Sequence, residues 1–112
     1  MSEVDPEPHR EQLAAYARRK DCRSLGFPRR WNPGSVTNPV TDMPYTDSSA
    51  WDLIADLLEG GHPIEVITMD KPKGKAGFVM HYELVPGAVP LYIKFHFGAK
   101  GIIGRSFHIS NY

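Results

Sequence analysis

LYIKFHFGAKGIIGRSFHIS, residues 91–110, decides the fold. Two runs alternating apolar and polar residues, 91–97 and 102–110, flank Gly98-Ala-Lys-Gly101, a turn short enough to demand an antiparallel hairpin. Upstream, residues 64–69 and 77–85 read as two further strands, separated from each other and from the hairpin by turn-rich pieces at 70–76 and 86–90. Before them, Trp51, Ile54, Ala55 and Leu58 recur at helical spacing. Ser49 with Asp52 has the capping-box interval, and Gly60-Gly61 ends the pattern, so a helix is predicted over 49–60. Leu13, Ala14, Ala15, Tyr16 and Ala17, followed by Arg18, Arg19 and Lys20, predict a shorter helix with a basic end over 11–20. Residues 24–45 contain Pro28, Pro33, Pro39 and Pro44 and predict a long loop, while the acidic, proline-containing residues 1–8 predict a disordered tail. Helices first and strands afterwards predict an α+β fold, with two or three helices on a small antiparallel sheet, a meander of about four strands.

Composition narrows what such a domain does. The 112 residues and 41% apolar content suit one domain with one modest core. Thirteen basic residues balance 13 acidic ones, which argues against a protein that holds nucleic acid by bulk charge alone. The balance conceals an asymmetry. Residues 1–61 carry 7 Lys+Arg against 10 Asp+Glu, and residues 62–112 carry 6 against 3, with four of the five histidines. The strand-rich half is therefore the cationic half. Cys22 has no thiol partner for a disulfide or a cysteine-based zinc site. No apolar run reaches the roughly 18–20 residues that cross a bilayer, and the start is unlike a signal peptide, so a cytoplasmic protein without membrane association is expected.

Alternation assigns the faces. Burying Phe78, Met80, Tyr82 and Leu84, and in the next run Leu91, Ile93, Phe95 and Phe97, leaves His81, Glu83, Tyr92, Lys94 and His96 on the opposite face. Ile103, Phe107 and Ile109 join the core set, so Ser106, His108 and Ser110 join the polar one. Arg105 breaks that pattern, and a bulge at Gly104 can turn it outward. Such a face suits RNA cleavage by attack of the 2′-hydroxyl on its neighbouring phosphate. The reaction needs a base, an acid and a cation for the developing phosphorane charge. His81 and His108 can serve as base and acid, Lys94 or Arg105 as the cation, and Tyr92 can position the phosphate or donate a proton. No metal or other cofactor is required. Lys71, Lys73 and Lys75 in the turn, together with His96, are expected to hold the RNA backbone.

Other readings compete for these residues. Exposed strand histidines are commonly plain surface residues, and three of them can bind zinc where register permits, although no local spacing signature marks such a site. The segment from Lys71 to Gly77 resembles a phosphate-binding glycine loop only in part, because it lacks the Gly-Lys-Ser/Thr ending and leads into a strand. A protein- or RNA-binding module without catalysis is the alternative function, with Arg29, Arg30, Trp31 and Tyr45 of the proline-rich loop as its contacts.

The same hairpin resembles a known family. Leu91-Tyr-Ile-Lys94, followed by Gly101-Ile-Ile-Gly-Arg-Ser-Phe-His108, is similar to the C-terminal hairpin of MqsR-type mRNA interferase toxins, which reads Tyr-Leu-Lys, an apolar stretch and Ser-Phe-Lys. The likeness is strongest over 91–108, extends less clearly to the helix at 49–59 and the two strands after it, and fades before residue 45. It implies a RelE-like fold and an mRNA-cutting toxin of a type II toxin-antitoxin system, held inactive by a cognate antitoxin protein. The family's hairpin tyrosine falls on Tyr92, and its terminal lysine falls on His108. Its glutamine falls near His81. Its first-strand lysine has no match, since Ile67 lies near that place, and Lys71, Lys73 or Lys75 are the available substitutes.

Overall fold

A computed structural model of the chain describes residues 7–70 and 73–109. Helix α1 spans Glu7–Arg18; β1 spans Arg23–Trp31; a short ribbon pairs β2, Thr37–Asn38, with β3, Met43–Pro44; and α2 spans Asp47–Glu59. Four strands follow: β4 Glu65–Asp70, β5 Lys73–Tyr82, β6 Leu91–Phe97 and β7 Ile102–Ile109. The sheet order is β1-β7-β6-β5-β4, with β1 parallel to β7 and the other neighbours antiparallel.

This corrects the expected architecture. The sheet is mixed and five-stranded, with a separate two-stranded ribbon, so neither the small antiparallel meander nor the RelE-like arrangement describes it. The added strand comes from the predicted loop at 24–45. Proline and glycine argue against a central strand, but β1 lies at the sheet edge, where a residue lacking an N–H is tolerated. Its pairing with β7 breaks between Leu25 and Arg30, the interval that holds Gly26 and Pro28.

Both helices begin earlier than expected. α1 already includes Glu7 and Pro8, because proline suits a first helical turn; residues 1–6 of the expected tail lie outside the described residues. At α2 the cap is Thr46. Ser49 N–H donates to Thr46 Oγ1 at 3.0 Å and Thr46 N–H donates to Ser49 Oγ at 2.8 Å, so Ser49 is the far partner of the box and not its start.

The helices cover one face of the sheet. Leu13, Ala50, Ile54, Ala55 and Leu58 pack with Phe78, Met80, Leu91, Ile93, Phe95 and Phe107, all fully buried or nearly so. Arg18 bridges α1 to Asp56 and Glu59 of α2. Arg23 lies beneath both, donating to the Ala17 carbonyl at 2.7 Å and to Asp52 at 3.2 Å. Trp31 and Tyr45, expected at the surface of the loop, belong to this core. Trp31 packs on Trp51 with ring centroids 5.0 Å apart and planes tilted by 34°, and donates its Nε1–H to Asp47 at 3.0 Å. Gly104 makes that pairing possible, since a Cβ there would lie 2.7 Å from Trp31 Cζ3. Among the described residues no helix is long and apolar enough to cross a membrane.

Candidate functional site

The face of the sheet away from the helices carries the polar residues in cross-strand rows. Register places His81 opposite Tyr92 and Tyr92 opposite His108, forming a continuous row of three rings over β5, β6 and β7. His81 meets Tyr92 edge-on with centroids 5.4 Å apart, and Tyr92 stacks on His108 at 5.5 Å and 29°. Glu65, on the neighbouring edge strand β4, stands with Oε1 3.8 Å from His81 Nε2. Burial first, and the Glu65 carboxylate second, push the Tyr92 phenol above its usual range. Tyr92 therefore remains a hydrogen-bond donor through neutral pH.

His108 has a defined tautomer. Its Nδ1 lies 3.0 Å from the Ile109 carbonyl, a contact that requires Nδ1–H to donate and leaves the lone pair of the neutral ring on Nε2. The carbonyl of His81 accepts from His62 Nε2–H at 2.7 Å, which ties the end of β5 to the segment after α2.

One register step along, Lys94 pairs with Ser106, and Ser106 pairs in turn with Arg30 of β1. Lys94 is half-buried and Arg30 exposed, and neither makes an ion pair among the described residues. The carboxylate of the same register row, Glu65, stands two strands away from Lys94 and forms no ion pair with it, so the row presents cationic ends beside the rings, an arrangement suited to a phosphodiester.

The remaining expected residues divide. Arg105 does reach this face, because it is the extra residue of a bulge in which Lys94 faces Ser106 while Phe95 faces Gly104. It is only 6% exposed, however, and its Nε–H donates to His96 Nε2 at 2.9 Å. His96 is 2% exposed, with its Nδ1–H donating to the Phe97 carbonyl at 2.8 Å. These two residues serve each other within the structure and expose little to an RNA strand. Lys73 and Lys75 belong to β5 and not to a turn; Lys73 pairs with Asp70 at the strand end, and Lys75 is exposed near His96. Lys71 and Ser110 lie outside the described residues. Glu83 turns to cap the following loop, accepting from Gly87 N–H at 3.0 Å.

The structure adds Glu65 to the site and gives Arg30 a different setting from the expected loop. Glu65 carries no signal, since in β4 the odd positions Ile67 and Met69 look as apolar as the even position Val66. Arg30, expected as a contact on the proline-rich loop, lies on β1, and the pairing of β1 with β7 brings it beside Ser106. Zinc binding by the three face histidines does not fit either, because both ring nitrogens of His96 are engaged. No group of three or more His, Cys, Asp or Glu able to hold a metal ion occurs among the described residues. The binding-module reading loses its aromatic contacts to the core, where Trp31 and Tyr45 are 8% and 6% exposed. A groove of about 460 Å³ lies elsewhere, between α1 and α2, lined by Arg10, Ala14, Leu58 and acidic residues, and holds no comparable set of proton-transfer groups.

No family model, curated protein or solved structure matches this chain.

Proposed function

We propose that the chain is an endoribonuclease that cuts mRNA at the open face of its sheet, using its own side chains for acid and base catalysis. The observation that carries this reading is the row His81, Tyr92 and His108, flanked by Lys94.

Each group has a chemical task. His108, with Nδ1–H committed to the Ile109 carbonyl, accepts the 2′-hydroxyl proton on Nε2. The 2′-oxygen then forms a bond to phosphorus, and the bond from phosphorus to the 5′-oxygen breaks. Protonated His81, with Glu65 beside Nε2, delivers a proton from Nδ1 to that leaving oxygen. Lys94 and the Tyr92 hydroxyl stabilise the charge on the phosphorane oxygens. The products are a 2′,3′-cyclic phosphate and a 5′-hydroxyl. Donor and acceptor end with their protons exchanged, so the bulk solvent resets the pair.

The likeness of residues 91–108 to the MqsR-type hairpin supports a toxin role, with a cognate antitoxin protein as partner. Induced expression in bacteria tests it. Growth arrest with loss of bulk mRNA is expected from the parent and not from His108→Ala or Tyr92→Ala variants that fold by circular dichroism. Unimpeded growth with intact mRNA would overturn the reading.

A further inference from the structure

The unusual feature of the open face is a polar pair that has been taken out of solvent beside a break in an edge strand. Between Leu25 and Arg30, β1 advances five residues while its partner β7 advances only from Gly104 to Ser106. The edge strand therefore bulges away and then returns to register at Arg30. Arg105 lies under the bulge. A Cβ added to Gly26 would sit 2.7 Å from Arg105 Cζ and 2.8 Å from its Nε, so the β1 backbone rests directly on the guanidinium. His96 holds the other side, accepting from Arg105 Nε–H through Nε2 while its own Nδ1–H is spent on the Phe97 carbonyl.

We propose that His96 is a positioning residue: as a neutral acceptor it fixes the Arg105 guanidinium beneath Gly26, and the seated guanidinium sets the register that delivers Arg30 beside Ser106 and Lys94. Arg30 is then a substrate-phosphate ligand on the flank of the ring row. This inference rests on the RNA-cleaving reading and adds to it a residue from the edge strand and the device that aims it. A histidine suits the task because its neutral ring both donates and accepts. Burial, and after it the surrounding cations Arg105 of β7, Lys75 of β5 and Lys94 of β6, keep the ring neutral to lower pH than an ordinary histidine, with only the Phe97 carbonyl opposing them.

Binding of a labelled, uncleavable all-deoxy oligonucleotide, followed by fluorescence anisotropy, tests the proposal without depending on catalysis. Arg30→Ala and His96→Leu should each weaken binding by roughly 10- to 100-fold, the size of one lost charge-assisted contact. The double variant should bind no more weakly than either single one, because both remove the same contact. His96→Gln, which keeps an acceptor near the Nε2 position, should bind like the parent. On acidification through the titration of His96, the parent should weaken relative to His96→Gln, whose acceptor cannot be protonated.

Additive losses, or parental affinity in a folded His96→Leu, would overturn the positioning role while leaving the RNA reading in place. A parent with no affinity for the oligonucleotide would overturn the RNA reading and this inference together. Should His96→Leu fail to fold, nitrogen NMR of the parent decides instead. A His96 ring protonated on Nδ1 with its lone pair on Nε2 is expected, and the opposite tautomer contradicts the proposal.

Discussion

The two faces of the sheet use aromatic and charged residues in opposite ways. On the helix face Phe78, Phe95 and Phe107 are almost wholly buried, and Arg23 spends its guanidinium on the Ala17 carbonyl and Asp52. On the open face, His81 keeps half of its side chain exposed, and Lys94 and Arg30 have no carboxylate partner among the described residues. The first face closes its interactions and thereby holds the fold together. The second closes His96 and Arg105 on each other but leaves His81, Lys94 and Arg30 without such partners, which is the state the proposed reaction needs before its substrate arrives. Stability and chemistry should accordingly be separable by mutation.

The largest test of that separation is His108→Ala. Cleavage should fall by roughly 10²- to 10⁴-fold, the usual contribution of a positioned acid or base, while urea denaturation should shift by only about 1–2 kcal/mol, the worth of its bond to the Ile109 carbonyl and its stack on Tyr92. Large destabilisation would place His108 with the structural face. Trp31→Ala is the converse. Loss of its packing on Trp51 and of its bond to Asp47 should lower stability by about 3–5 kcal/mol, and a near-neutral result would return β1 to the status of a loose loop.

Smaller effects sharpen the contrast. Lys94→Ala should reduce the dependence of RNA affinity on salt by about one unit of log–log slope, since one phosphate contact is lost; an unchanged slope would remove Lys94 from the site. Thr46→Ala should cost about 1 kcal/mol by removing the acceptor for Ser49 N–H, measured in the same denaturation assay, with cleavage by the folded fraction unaltered. His96 also predicts a pH dependence. Its folded-state pKa lies below the unfolded value, so the unfolded chain binds a proton first, and stability should decline as pH falls below the ordinary histidine range. His96→Gln should flatten that part of the profile.

Much of the open face was legible because it follows from local periodicity. Alternation along 77–85 and 91–97 puts His81, Tyr92, Lys94 and His96 on one side whatever the strands pair with. What alternation cannot supply is the partner of each strand. Pro28 and Gly26 made 24–45 look unlike any strand, and parallel pairing of β1 with β7 spans most of the chain, so no local pattern announces it. Three features depend on that one pairing. It brings Trp31 into the core and Arg30 beside Ser106 and Lys94, and it lays β1 over the Arg105 guanidinium, so that Arg105 and His96 are buried and not at the surface. Arg105 also depends on a bulge whose extra residue is Arg105 itself, one position beyond the glycine that suggested it. The capping box was displaced for a simpler reason, since Thr46 and Ser49 satisfy the same spacing rule as Ser49 and Asp52.

The most direct test of catalysis on the open face uses purified protein, excess EDTA and an oligodeoxynucleotide carrying a single ribonucleotide. One cut is predicted, immediately 3′ of the ribonucleotide, leaving a 2′,3′-cyclic phosphate and a 5′-hydroxyl, with the all-deoxy control intact and the folded His108→Ala variant inactive. An uncut chimera, or equal cutting by His108→Ala, would contradict the assignment of chemistry to this face.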